Sequence, residues 1–198
     1  MRIFLASSNT CTDPYAVYPL GMSVIAGALA AAGHEIRQFD VAVSGLDALS
    51  AELRVFAPDL VGISIRNLDT VNSRTSGQDF LRMPVDMAKT IRANTAAPLI
   101  LGGAGFSLLP QEIMSLTSAD YGIVGEGEWA MLELVSALGQ GAKPEQNIIY
   151  GHSGKQFPAL YQTDLRDYYC GQTHILPIQT KRGCALHCVY CTYPALEG

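Results

Sequence analysis

No dense run of lysine or arginine occurs anywhere in the 198 residues, and the formal net charge is −5. A nucleic-acid groove or a basic membrane-facing patch is therefore not the starting expectation. No apolar stretch approaches bilayer length: the longest, Val24 to Ala32, is interrupted by Gly27 and is far short of a span. A leader peptide is not expected either. Met1 runs directly into Ile3-Phe4-Leu5, with Ser7 and Ser8 close behind, which makes a poor leader and a good first strand. The expected location is the cytoplasm. Internal repeats and low-complexity tracts are absent. Charged residues make up only 16% and hydrophobic ones 48%, a balance that excludes disorder and suits a soluble globular chain. Cysteines are too few for a disulfide scaffold: there are five, an odd number, and three of them fall within eight residues. In a cytoplasmic chain, clustered thiols point to metal before disulfide.

What is present is an alternation of short β-rich runs with helix-like segments. Strands are predicted at Ile3–Ala6, Glu35–Phe39, Leu60–Ile65, Leu99–Leu101 and Tyr121–Val124. Most are apolar without strict alternation, as strands buried on both faces are. Helices are predicted at Leu20–Ala32, Leu46–Phe56, Val85–Ala93, Gln111–Leu116 and Glu128–Leu138. Gly33 stands where the first should end, and Pro58 and Pro98 each stop a helix before a strand. The pattern predicts an α/β, Rossmann-like doubly wound parallel sheet of about five strands. Ligands of such sheets bind beyond the carboxyl ends of the strands, so five loops matter: Ser7–Pro19, Asp40–Gly45, Arg66–Pro84, Gly102–Pro110 and Gly125–Gly127.

The texture changes near Gly139. Gly139–Pro144 reads as a linker, and Ile148–Tyr150 with Lys155–Phe157 reads as a small hairpin turning at Gly151–Gly154. A less regular segment follows, and Ile175–Gln179 reads as a new strand entering a cysteine loop. The expected division is a first domain over 1–140, a linker with hairpin over 141–173, and the start of a second domain over 174–198.

That loop reads Thr180-Lys181-Arg182-Gly183-Cys184-Ala185-Leu186-His187-Cys188-Val189-Tyr190-Cys191. The spacing C-x3-C-x2-C offers three thiolates and leaves a fourth position open, the logic of a reactive centre more than a closed structural one. A zinc loop completed by His187 or His174, or three incidental thiols, are the alternatives. Cys11 and Cys170 read as ordinary cysteines.

The loop resembles the signature of the radical S-adenosylmethionine (SAM) enzymes, with Tyr190 as the aromatic before the last cysteine. The resemblance implies that Cys184, Cys188 and Cys191 bind a 4Fe–4S cluster whose fourth iron is chelated by SAM. It also implies a deoxyadenosyl radical and an electron donor such as flavodoxin or ferredoxin. The region upstream resembles the cobalamin-binding domain that precedes the barrel in B12-dependent members. The ordered series is Pro19-Leu20-Gly21, Ala32-Gly33-His34-Glu35, Leu60–Ser64, Leu101-Gly102-Gly103 and Gly125-Glu126-Gly127-Glu128. It implies cobalamin contacts from Ser8, Asn9, Pro19, Leu20, Gly21, Ser64, Arg66, Asn67, Gly102, Gly103, Gly105, Gly125, Glu126 and Gly127, with Tyr190 near the other cofactors. Each glycine alone reads equally as a turn residue or a ligand contact.

One family feature is missing. No aspartate has a histidine two residues later, so the D-x-H-x-x-G motif is absent, which argues against a methionine-synthase-like module and not against cobalamin. His34 lies at a helix exit and is no substitute. The long loop Arg66–Met83 carries Arg66, Asn67, Asp69, Asn72, Arg74 and Arg82 and reads as a binding loop or lid. Arg66 is expected either beneath the corrin or in a salt bridge to Asp69 or Asp79. The resemblance implies the N-terminal part of a B12-dependent radical SAM enzyme, a methyltransferase first and a ring-forming or rearranging enzyme second. Methylcobalamin would supply the methyl group and a second SAM would restore it. The rivals are a stand-alone cobalamin-binding or regulatory module and a flavodoxin-like protein with a zinc or iron–sulfur loop.

Overall fold

The computed structural model of the chain describes residues 1–12, 14–68, 79–186 and 188–193. Six strands form one sheet: β1 (Arg2–Ser7), β2 (Glu35–Asp40), β3 (Leu60–Ser64), β4 (Leu99–Gly102), β5 (Tyr121–Val124) and β6 (Ile148–Tyr150). Their order is β2-β1-β3-β4-β5-β6, and every neighbouring pair is parallel. The helices are α1 (Leu20–Ala31), α2 (Val41–Ser44), α3 (Leu46–Phe56), α4 (Arg82–Asn94), α5 (Ala104–Leu108), α6 (Pro110–Thr117), α7 (Gly127–Gly139) and α8 (Thr163–Thr173).

Strand side chains alternate between the two faces, so each strand feeds two cores. Phe4, Ala6, Val61, Ile63, Leu99 and Leu101 meet Leu49 and Leu53 of α3, Met87 and Ile91 of α4, and Phe106 of α5. On the other face Ile3, Leu5, Leu60, Ile100 and Ile123 meet Met22 and Leu29 of α1, Met131 and Leu134 of α7, and Leu165 and Tyr169 of α8. This is the predicted doubly wound α/β architecture. Helix punctuation follows the sequence signals: His34 N–H bonds the Leu29 carbonyl at 3.1 Å across Gly33, and Pro110 opens α6.

Beyond Gly139 the structure departs from expectation. The sheet has six strands, because Ile148–Tyr150 pairs parallel with β5 and forms no hairpin with Lys155–Phe157. Gly151 continues this edge by donating to the Val124 carbonyl at 2.8 Å, and a Cβ there would overlap the Glu126 carbonyl. The indole N–H of Trp129 then donates to the Lys155 carbonyl at 3.2 Å and its ring packs tilted against Phe157, while Gly154 lies so close that a Cβ would overlap the indole. Residues 151–162 thus form a strap over α7 and α1. A Cβ at Gly27 would overlap the Pro158 carbonyl, and Leu160 N–H donates to the Ser23 carbonyl at 2.8 Å. The strap ends on the outer edge of β2. There the Gln162 amide accepts from Gln38 N–H at 2.7 Å and donates to the Gln38 carbonyl at 2.8 Å, standing in for a missing strand neighbour.

The segment read as irregular contains α8. Ile175–Gln179 is not a strand among the described residues: Pro177 has no N–H to donate, and its carbonyl is taken by the Tyr161 hydroxyl at 2.7 Å. Asp69, Asn72, Arg74 and His187 lie outside the described residues. No helix among those described is long and apolar enough to cross a membrane.

Candidate functional site: a cleft at the carboxyl edge of the sheet

Strand register decides where the loops begin. Asp40 pairs with Ser7, Ser7 with Ser64, and Ser64 with Gly102, so four strands end on one line. From β1 the chain turns one way to β2 and the other way to β3, which puts the topological switch beside Ser7 and Ser64. Ligands of open α/β sheets bind at that point. A cleft of about 610 Å³ opens there.

Four of the five predicted loops line it. Asn9, Pro19, Leu20 and Gly21 come from the first loop and α1, and Ser64 and Arg66 from the end of β3. Gly102 and Gly103 follow β4, and Gly125, Glu126 and Gly127 follow β5. The loop Asp40–Gly45 lines none of it. β2 is the edge strand, and Asp40 turns inward to accept from Ala42 N–H at 3.0 Å and from the Tyr169 hydroxyl at 2.9 Å. Ser8, Asn67, Gly105 and Tyr190 also lie off the described lining. Ser8 is buried, with both its N–H and its hydroxyl on the Ser64 carbonyl at 3.1 Å. Tyr190 is 87% exposed.

The glycines separate by role. Gly103, at φ +100°, packs on the backbone of Ile65, where a Cβ would come within 2.5 Å of the carbonyl oxygen. Gly105 is pressed against the Arg66 carbonyl in the same way. A Cβ at Gly21 would meet nothing within 4 Å, and one at Gly102 only the Ile123 carbonyl at 3.8 Å. The first pair explains itself by packing, while Gly21 and Gly102 leave bare backbone facing open cleft.

Polar groups brace the walls. The Ser107 hydroxyl donates to the Gly103 carbonyl at 3.0 Å and accepts from Gly125 N–H at 2.9 Å, tying the loops after β4 and β5 together. At the start of α7, Glu126 and Glu128 share the guanidinium of Arg182, and these charged hydrogen bonds, Glu128 first, raise its pKa above the ordinary value. Arg66 is exposed on the rim and has no ion pair among the described residues. Asp79 is occupied elsewhere, accepting from Leu81 and Arg82 N–H at 3.0 and 3.1 Å. Burial lifts Asp40 to about 6, opposed by hydrogen bonds from Ala42, Tyr169 and Ser7.

The cysteine segment is arranged differently. Cys184 and Cys188 are half-buried, Cys191 is exposed, and no disulfide links them. Cys191 N–H closes a turn on the Cys188 carbonyl at 3.0 Å. Among the described residues no three His, Cys, Asp or Glu side chains are grouped closely enough to hold a metal ion. The thiols are the right donors for an iron–sulfur cluster, but the described arrangement does not converge them.

Residues 9–135 match the family model of the B12 binding domain. The chain belongs to the B12-binding domain family. It is 32% identical over 153 residues to the tryptophan 2-C-methyltransferase of Streptomyces laurentii, covering 75% of this chain and 25% of that one. It is 25% identical over 192 residues to the hopanoid C-3 methylase of Methylococcus capsulatus, covering 88% and 35%. Among solved structures it superposes on the radical S-adenosylmethionine methyltransferase TsrM from Kitasatospora setae with cobalamin and a [4Fe-4S] cluster bound. That match has a TM-score of 0.63 at 28% identity, covering 72% of this chain and 27% of that one. These matches support a B12-binding domain of the kind found in a radical SAM methyltransferase. The chain spans between a quarter and about a third of the length of the curated relatives it matches.

The cleft suits the family's ligand. A flat macrocycle with a long polar tail needs an open edge of bare backbone and hydroxyls, and Gly21, Gly102 and Ser64 fit that need. The sequence reading missed Ser7, Tyr18, Ser107, Glu128, Arg182 and Tyr193 as lining residues. The spacing of Ser7 at the end of the first strand was a usable signal. Arg182 had none, since its carboxylate partners lie more than fifty residues away in sequence.

Proposed function

We propose that this chain is the cobalamin-holding part of a B12-dependent radical SAM methyltransferase. The observation that carries the reading is the cleft at the switch point, where four glycine- and serine-bearing loops meet in a B12-binding domain. Cobalamin, when bound, supplies a transferable methyl group on cobalt. The chain's own residues bind and shield it. Gly21 and Gly102 admit close backbone contact, and Asn9 and Ser64 offer hydrogen bonds. Tyr18, Ile25 and Met131 make an apolar wall that excludes water. Arg66, exposed just beyond β3, brings a cationic group to the lining of the cleft.

On this reading residues 174–198 begin the radical SAM domain, and Cys184, Cys188 and Cys191 are its cluster ligands. The 4Fe–4S cluster, SAM and a flavodoxin- or ferredoxin-type donor then belong to the whole enzyme, working in the cytoplasm. The C-x3-C-x2-C spacing and the methyltransferase relatives support this.

The test is retention of hydroxocobalamin through gel filtration, read by its visible absorption. The chain should carry about one equivalent, and Gly102→Leu, which fills the open edge, should weaken binding at least tenfold. Passage of the chain without corrin absorbance would remove the reading. Anaerobic reconstitution with iron and sulfide separates the rivals: corrin bands with no iron–sulfur absorption favour the binding module.

A further inference from the structure

We propose that Arg182 is a positioning residue that latches the cysteine segment to the wall of the cofactor cleft through Glu126 and Glu128. The inference rests on the cobalamin reading of the cleft and extends it to the segment that follows.

The guanidinium is fully occupied. Nη1 donates to Glu128 Oε2 at 2.8 Å and to Glu126 Oε2 at 3.3 Å, and Nη2 closes a second bond to Glu128 Oε1. Nε and Nη2 also donate to Gln179 Oε1 at 3.1 and 3.0 Å, so a residue of the same segment pre-orients the fork. The side chains of Arg182, Glu126 and Glu128 are only 15%, 15% and 6% exposed. A paired-fork contact this far from solvent is directional and weakly screened, unlike the surface ion pairs elsewhere in the molecule.

Location turns the contact into a device. Glu126 and Glu128 flank the first residue of α7, where the helix end favours negative charge, and both line the cleft. Arg182 lines the same cleft from the opposite side in sequence, with Pro177 and Tyr193. Gly183, at φ +72°, turns the chain directly after it, and Cys184 comes next. Fixing the guanidinium therefore fixes the start of the cysteine loop over the cofactor wall. Past that point Leu186, Val189 and Tyr190 are exposed, so little else among the described residues holds the loop there.

The test is a double-mutant cycle read by alkylation of Cys184 with iodoacetamide and peptide mass spectrometry, on the whole reduced chain. Arg182→Gln and Glu128→Gln should each raise the alkylation rate at least tenfold, and the double variant should be no faster than either. Arg182→Lys, which keeps the charge, should recover part of the protection. Unchanged rates, or gains that multiply in the double variant, would overturn the latch. Circular dichroism checks the fold. If Glu128→Gln does not fold, Glu126→Gln with Arg182→Gln gives the same cycle. Hydroxocobalamin retention is measured separately on the unaltered chain. Failure there removes the cofactor reading while the alkylation cycle still stands or falls alone.

Discussion

Residues before Gly139 and residues after it are held by different kinds of contact. The first region is stabilised by area: two apolar layers on the faces of a parallel sheet, built from strands and helices that each bury several side chains. The second is pinned at points. The strap, α8 and the cysteine segment are fixed by Trp129 on the Lys155 carbonyl, Leu160 on Ser23, Gln162 on Gln38, Tyr169 on Asp40 and Arg182 on Glu128. Area-based stability is shared and cooperative, whereas pinned segments open locally when one pin goes. The cleft is walled by both kinds, one rigid and one able to detach.

The largest effect should come from breaking the first kind. Phe106 is fully buried, and its ring fills the space that a side chain at Gly122 would need. Phe106→Ala should cost about 3–5 kcal/mol in urea unfolding. Because the loss is cooperative, the sheet and the helices packed on its faces should unfold in one transition. An unchanged midpoint would mean the core is not the shared support described.

Asp40 sits where the two regions meet. It is fully buried, its carboxyl rises to about 6 against an ordinary 3.8, and burial is the main cause. Between those values the native chain holds more protons than the unfolded one at this site, so its contribution to stability falls as pH rises through the window. A shift of this size corresponds to at most about 3 kcal/mol, absent below pH 4 and complete above pH 6. Asp40→Asn keeps an acceptor for Ala42 and removes the titration. The stability of the variant relative to the parent should therefore climb between pH 4 and pH 7. A flat difference would show that Asp40 ionises without penalty.

Gly27→Ala strikes the strap alone. The added Cβ overlaps the Pro158 carbonyl, so the strap must lift or α1 must shift, at about 1–3 kcal/mol. Proteolysis within residues 151–162 should quicken several-fold while the sheet keeps its protection in hydrogen exchange. Equal loss of protection throughout would mean that the strap and sheet are one cooperative unit.

The same contrast governs what could be read from the sequence. Buried parallel strands are unbroken apolar runs, so Leu60–Ser64 and Tyr121–Val124 announce themselves, and glycines directly after them mark the cleft edge. The strap has no period to read, because its order comes from tertiary polar contacts such as the Gln162 amide imitating a strand on Gln38. α8 hides for a related reason: it buries only Leu165 and Tyr169, one helical turn apart, among polar neighbours. Ile148–Tyr150 was legible as a strand, but its partner was not, since the choice between hairpin and sheet edge lies in how Gly151 packs on Glu126. Arg182 was visible only as part of a cysteine motif, and nothing local named its carboxylates.

Arg66 should give the smallest change in stability and the most specific change in chemistry. It is exposed on the rim and lacks an ion pair among the described residues, so Arg66→Ala should alter unfolding by no more than about 0.5 kcal/mol. No histidine lines the described cleft, and of its two lining cations Arg182 is committed to Glu126 and Glu128, which leaves Arg66 as the uncommitted one. In the cobalamin-loaded chain reduced to Co(II), the electron paramagnetic resonance spectrum of Arg66→Ala should therefore differ from the parent's, with weaker retention of cobalamin. The same measurement on Arg182→Gln should leave the cobalt spectrum alone and change only the exposure of Cys184. An identical cobalt environment and affinity in Arg66→Ala would take Arg66 out of the site and assign the rim's charge to the detachable wall.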